Sequence, residues 1–67
     1  MIFVNGRPTE ARDGATVADV LEQLGVEPAA RGVAVAVDGE VVPRADWRDR
    51  AVPDGARVEA LTAMQGG

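Results

Sequence analysis

Cysteine, histidine, lysine, serine and tyrosine are all absent from the 67 residues. A nucleophile or proton shuttle working near neutral pH usually comes from one of those five types, so an ordinary active site is hard to assemble from what remains. Without cysteine there is no disulfide. Without cysteine and histidine the usual ligands of zinc and transition metals are missing, leaving weak oxygen sites, so neither a metal nor a bound cofactor is expected. All seven cationic side chains are arginines, and a guanidinium cannot accept an isopeptide bond. Long apolar runs are also lacking. The one strongly apolar opening, Met1 to Val4, is far too short for a signal peptide or a membrane span, which makes a cytoplasmic protein with no membrane partner the expectation.

What is present suits one small module. With 46% apolar residues the chain is globular rather than disordered. A domain of this size buries only about 60% of the surface that its unfolded chain exposes, which leaves little room for an enclosed substrate pocket. The net charge of −4 argues against a nucleic-acid partner and suits a basic protein partner better. No internal repeat or low-complexity segment divides the chain, and it is expected to be a monomer when free.

Turn dipeptides set the organisation. Asn5-Gly6 and Asp38-Gly39 each lie between apolar runs, and an Asx-Gly pair supplies the two positive-φ residues of a type I′ hairpin turn. One hairpin should pair Ile2–Val4 with Arg7–Arg12, and a second should pair Val33–Val37 with Glu40–Val42. Pro8 has no N–H to give to a ladder, so its strand belongs on a sheet edge. Between the hairpins, Thr16 with Asp19 three residues later marks a helix start, Val17, Val20, Leu21 and Leu24 form an apolar stripe, and Gly25 ends it. Val26 to Gly32 reads as a connection. Pro43 to Trp47 suggests a short helical turn with proline at its start, Asp54-Gly55 another turn, and Arg57–Ala63 the last strand. Trp47 reads as a lid over the core and Arg44 as a structural or surface residue, while Asp46 and Asp49 read as a solvated turn rather than a cation site.

The order is therefore ββαββ, a short helical turn, then β. A five-stranded mixed sheet with one main helix on one face joins these elements by short connections, with the first and last strands parallel at the centre. This is an α+β fold of the β-grasp, ubiquitin-like kind, expected over residues 1–63, with 64–67 as a flexible tail. If the helix covers Ile2, Val4, Val33, Val35, Val37 and Val58, strand alternation sends Phe3, Ala34, Ala36 and Leu61 to the open face, where they would form a partner-docking surface. The Asx-Gly pairs read as turns and nothing more.

The chemistry left to such a chain is carboxylates, three threonines and the terminal carboxylate of Gly67. That pattern reads as a carrier whose working group is its own C-terminus, modified by other proteins. Gly66 and Gly67 carry no Cβ, so they make a thin tail that can enter a narrow cleft and leave the last carbonyl unhindered. Met64, Gln65, Gly66 and Gly67 could span roughly 13 Å when extended, enough to reach into a partner while the folded body docks outside.

Asn5-Gly6, the segment GATVADVLEQL from Gly14 to Leu24, VAVAVDGEVVPRADW from Val33 to Trp47, Asp54-Gly55 followed by Arg57-Val58-Glu59, and the closing Gly66-Gly67 together resemble the ThiS family of sulfur carriers of thiamine biosynthesis, within the MoaD/ThiS group of ubiquitin-like proteins. The resemblance spans essentially the whole chain. Three departures are visible: Asp38 where Asn is common, Ala56 where Asp often follows Asp-Gly, and Met64-Gln65 in place of a small aliphatic pair. The first two are read as turn positions.

The resemblance implies that a ThiF-like adenylating enzyme uses ATP to activate Gly67. A sulfur donor protein then converts it to a thiocarboxylate, and a ThiG-like thiazole synthase takes the sulfur. Such a protein is not an enzyme but a co-substrate of its partners. Carriage of sulfur for molybdopterin or another thiolation pathway, and ubiquitin-like modification of other proteins, stand as the alternatives, together with a non-catalytic β-grasp binding module.

Overall fold

A computed structural model describes residues 1–27 and 31–62. The elements are β1 (Ile2–Val4), β2 (Arg7–Thr9), α1 (Val17–Gln23), β3 (Val33–Val37), β4 (Glu40–Val42), a 3₁₀ turn (Arg44–Asp46) and β5 (Arg57–Thr62). They form one five-stranded sheet in the order β2-β1-β5-β3-β4. β5 is central, parallel to β1 and antiparallel to β3, and both hairpins are antiparallel. The β-grasp order expected from the sequence is the order found.

Both hairpin turns have the predicted backbone. Asn5 and Asp38 adopt φ of 50° and 51°, and Gly6 and Gly39 adopt 85° and 83°, a region that glycine enters without steric cost and Asn or Asp enter more readily than other residues. The first hairpin is shorter than expected: its second strand ends at Thr9 rather than Arg12. The reason is register. Thr9 pairs with Ile2, the first residue of β1, so Glu10 onward has no strand to face. The Glu10 carbonyl accepts instead from Gln23 Nε2, and Ala11 packs against the core. Pro8 sits on the outer strand, as its missing N–H requires.

The helix is short, and both ends are closed. Thr16 Oγ1 accepts from Asp19 N at 3.3 Å while the Asp19 carboxylate accepts from Thr16 N at 3.0 Å, a reciprocal capping box. Val17 N donates to Arg50 O and Ala18 N to Trp47 O, and Val20 N reaches Thr16 O, so the first four helical N–H groups all have acceptors. Arg12 Nη2 lies 2.9 Å from the same Asp19 oxygen. The Thr16 backbone N–H and then the Arg12 guanidinium hold Asp19 below the usual carboxylate value. At the other end Val26 N donates to Leu21 O and Gly25 N to Glu22 O, with Gly25 at φ 82°, the double bond pattern of a Schellman stop.

That stop corrects one expectation. Leu24 is not part of the buried stripe: it is the C-cap residue, 40% exposed, and Ala18 takes the fourth buried place beside Val17, Val20 and Leu21. The helix ends before Leu24 can be carried over the sheet.

Ile2, Val4, Val35, Val37 and Val58 from the sheet meet Val17, Val20 and Leu21 from the helix, and Val42, Trp47, Val52 and Ala56 close the edges. Val33 is half-buried against this core. Each fully buried aliphatic side chain of this kind contributes about 1.5–3 kcal/mol over its exposed state. Trp47 is the lid that the sequence suggested, with its indole N–H donating to Val42 O at 2.9 Å and the Arg44 guanidinium 4.7 Å above its ring. Ala56 is a turn position, as expected, its N–H donating to Pro53 O, but it is also buried, and its carbonyl accepts from Phe3 N, the first bond that ties β1 to the β5 side.

Candidate functional site

The helix covers one face of the sheet, and strand alternation leaves the other open. Register fixes what lies on that open face. Leu61 pairs with Ala34, Glu59 with Ala36, and Ala36 with Val41, while Phe3 sits beside Arg57 across the parallel pair. Leu61 is 68% exposed and Phe3 37%, Ala34 is exposed and Ala36 half-buried. All four residues expected on this face are on it.

They do not form one patch. Ala34, Ala36 and Leu61 are neighbours, but Phe3 lies beside Arg57, four residues along β5 from Leu61, or about 13 Å at the strand rise. Arg57 and Glu59 occupy the intervening open-face positions on the central strand. The face is thus an apolar group toward the exit of β5, a charged middle, and Phe3 beyond it. Phe3, Gly6, Arg57, Val58 and Glu59 line a shallow depression at that far end.

One member was missed. Val41 is 73% exposed, the most exposed of the large apolar residues described, and stands beside Ala36. The signal was present in the turn: with Asp38-Gly39 as a two-residue loop, Val37 must pair with Glu40 and Ala36 with Val41, which puts Val41 on the open side.

The turn residues also do more than turn. Asn5 Nδ2 donates to Ala60 O at 3.2 Å and Ala60 N donates to Asn5 Oδ1 at 3.0 Å, while Arg57 N donates to Asp38 Oδ1 at 2.9 Å and Asp38 N to Arg57 O at 2.7 Å. Both hairpin turns therefore grip β5, Asp38 at its beginning and Asn5 toward its end. These contacts join residues 55 and 19 apart in the chain, which is why a local reading of Asx-Gly could not supply them.

Gly67, Gly66, Gln65 and Met64 lie outside the described residues, as does Ala63. What the described residues establish is where that segment starts: it follows Thr62, which pairs with Val33 in the central strand, directly after the exposed Leu61. Asp46 and Asp49 are both exposed in the turn after β4, and among the described residues no group of three or more acidic, histidine or cysteine side chains gathers to hold a metal ion. Among the same residues no helix is long and apolar enough to cross a membrane.

Comparison with known proteins agrees with this architecture. The ThiS family model matches residues 2–67. The sulfur carrier protein ThiS of Escherichia coli strain K12 is 33% identical over 66 residues, covering 98% of this chain and 97% of its own. The crystal structure of the thiamine biosynthesis protein ThiS from Geobacter metallireducens superposes with a TM-score of 0.76 at 35% identity, over 98% of this chain and 97% of that one. A solution structure of a thiamine biosynthesis protein from the same organism gives 0.77 at 34% identity, over 98% and 86%. With the sheet order, the capped helix and a family match running through the diglycine end all in agreement, the chain belongs to the ThiS family.

Proposed function

We propose that this protein is a sulfur carrier acting in formation of the thiamine thiazole, and that Gly67 is the group that carries the sulfur. The observation behind this reading is the family match through residue 67, joined to a relative whose name is that of a sulfur carrier. The composition supports it from the other side, since the chain offers no cysteine, histidine, lysine, serine or tyrosine for catalysis of its own.

The chemistry follows from the reactivity of a carboxylate. Resonance makes the Gly67 carboxylate a poor electrophile until one oxygen becomes part of a leaving group. A ThiF-like adenylating partner supplies that group by joining the carboxylate to AMP from ATP and releasing pyrophosphate. The outer sulfur of a persulfide on a donor protein displaces AMP, giving an acyl disulfide; a second thiol, from the donor protein or a thiol reductant, then attacks the donor sulfur, breaks the S–S bond and is oxidised to a disulfide, leaving a thiocarboxylate on Gly67. A ThiG-like thiazole synthase receives that polarisable, nucleophilic sulfur. The chain itself catalyses nothing and works in the cytoplasm as a co-substrate.

Recognition divides between body and tail. Fixing Met64–Gly67 in a partner's cleft costs about 1–2 kcal/mol per residue of backbone entropy, so the folded body must supply much of the affinity. The open-face residues Phe3, Ala34, Ala36 and Leu61, with Val41 added, are the surface proposed for that contact. Leu61 stands nearest the start of the tail.

The test is ATP-dependent pyrophosphate release by the adenylating partner, with the intact chain or a chain lacking Gly66-Gly67 as acceptor. The intact chain should support release and the shortened one should not. Equal activity with both would remove Gly67 from its role.

A further inference from the structure

We infer that Asn5 is a positioning residue for delivery of the C-terminus, acting through β5. This rests on the reading of Gly67 as the working group and concerns how that group is aimed.

The parallel ladder between β1 and β5 runs through Phe3 N to Ala56 O at 2.9 Å and Asn5 N to Val58 O at 2.8 Å. β1 ends at Val4, and the backbone turns away at Asn5 with φ 50°. The next residue of β5 in that ladder is Ala60. The Asn5 carboxamide takes the place of the strand that has gone: its N–H₂ donates to Ala60 O and its oxygen accepts from Ala60 N. A carboxamide has the donor and acceptor of a peptide group, so it can continue a ladder for one step in both directions. The grip falls two residues before Thr62, the last residue of β5, on the side of β5 opposite β3. β3 holds the other side through Leu61–Ala34 and Thr62–Val33. Held from both sides, the end of β5 has a fixed direction, and the segment carrying Gly67 starts from a fixed point.

Asp38 supplies an internal control. It too makes two bonds to β5, one through its side chain and one from its backbone N–H, but at Arg57, the residue of β5 farthest from the tail. Both residues occupy positive-φ turn positions where glycine is accommodated, so Asn5→Gly and Asp38→Gly each delete the side-chain grip on β5 while leaving the hairpin backbone allowed, two bonds in the first case and one in the second, where the residue 38 N–H keeps its bond to Arg57 O. If clamping β5 matters only for stability, the two variants behave alike. If Asn5 aims the tail, they differ.

The experiment is steady-state kinetics of the adenylating partner with wild type, Asn5→Gly and Asp38→Gly as the varied substrate, at a temperature where circular dichroism shows all three folded. Docking of the body sets KM and placement of the C-terminus sets kcat. Asn5→Gly is expected to lower kcat about 10-fold or more with KM within about twofold, since small misplacements of a reacting group cost rate steeply. Asp38→Gly should keep kcat within about twofold of wild type by the same argument. Hydrogen exchange adds a direct readout: the Ala60 amide should lose protection in Asn5→Gly and keep it in Asp38→Gly.

Should Asn5→Gly not fold, Asn5→Asp replaces it. The chain already holds Asp38 in this conformation, and the substitution keeps the acceptor for Ala60 N while setting an oxygen against the Ala60 carbonyl. The same fall in kcat is expected. A folded Asn5 variant with wild-type kcat, or an equal fall in both glycine variants, overturns the positioning role alone. A wild-type chain that is not adenylated overturns the functional reading and the role with it.

Discussion

The two faces of the sheet carry similar residues to opposite ends. Under the helix, Ile2, Val35, Val37 and Val58 are sealed against Val17, Val20 and Leu21. On the other side Phe3, Val41 and Leu61 are just as apolar and stand in solvent. The one α-helix among the described residues covers one face, so the exposed parts of Phe3, Val41 and Leu61 on the other face gain little folding stability. That difference teaches which residues hold the fold together and which are left for a partner.

Substitutions can break or sharpen the contrast, beginning with the covered face. Leu21→Ala removes a fully buried side chain beneath the sheet and should destabilise the protein by about 3 kcal/mol, read from urea unfolding. Trp47→Phe keeps an aromatic lid but leaves the Val42 carbonyl without its indole donor, for a loss of about 2 kcal/mol by the same measurement. On the open face, Leu61→Asp should leave unfolding within about 0.5 kcal/mol of wild type, as exposed substitutions do. It should raise KM for adenylation about 10-fold, equivalent to about 1.4 kcal/mol of lost docking. If Leu61→Asp unfolds the protein, or is adenylated like wild type, the division between the faces fails.

Smaller effects come from the helix start that sets the covered face in place. Thr16→Ala removes half of the capping box and should cost about 1 kcal/mol. Asp19, the other half, is held below its ordinary pKa of 3.8 in the folded protein. A depressed carboxylate contributes stability that is complete above its unfolded pKa and is lost as pH falls through its folded one, so the contribution should fade below about pH 4. Urea unfolding at pH 6 and pH 3 should therefore show a smaller acid-induced loss in Asp19→Asn than in wild type.

Most of the fold was legible because its signals are local. Asn-Gly and Asp-Gly fix hairpin turns, Thr16 with Asp19 fixes a helix start, and Pro8 marks an edge; each needs only neighbours in sequence. Most of what escaped depends on residues beyond the immediate neighbours. The end of β2 is set by where β1 begins, while Leu24 is a local miss, turned outward by a stop that closes on Leu21 and Glu22. Ala56 belongs to the core because Phe3 comes back across the sheet to meet it. The candidate site divides in the same way. Phe3, Ala34, Ala36 and Leu61 followed from alternation within single strands, whereas Val41 needed the hairpin register. The Asn5 and Asp38 clamps needed the whole sheet. The segment Met64–Gly67 was legible only as sequence.

The account stands on Gly67 as the carrier of sulfur, and intact mass spectrometry tests that most directly. The chain is incubated with its adenylating partner, ATP, a persulfide sulfur source and a thiol reductant. The account predicts a mass gain equal to exchange of one oxygen for one sulfur, located at Gly67 and lost when that residue is deleted. An unchanged mass under conditions where ATP is consumed, or the same gain in the chain without Gly67, would contradict it.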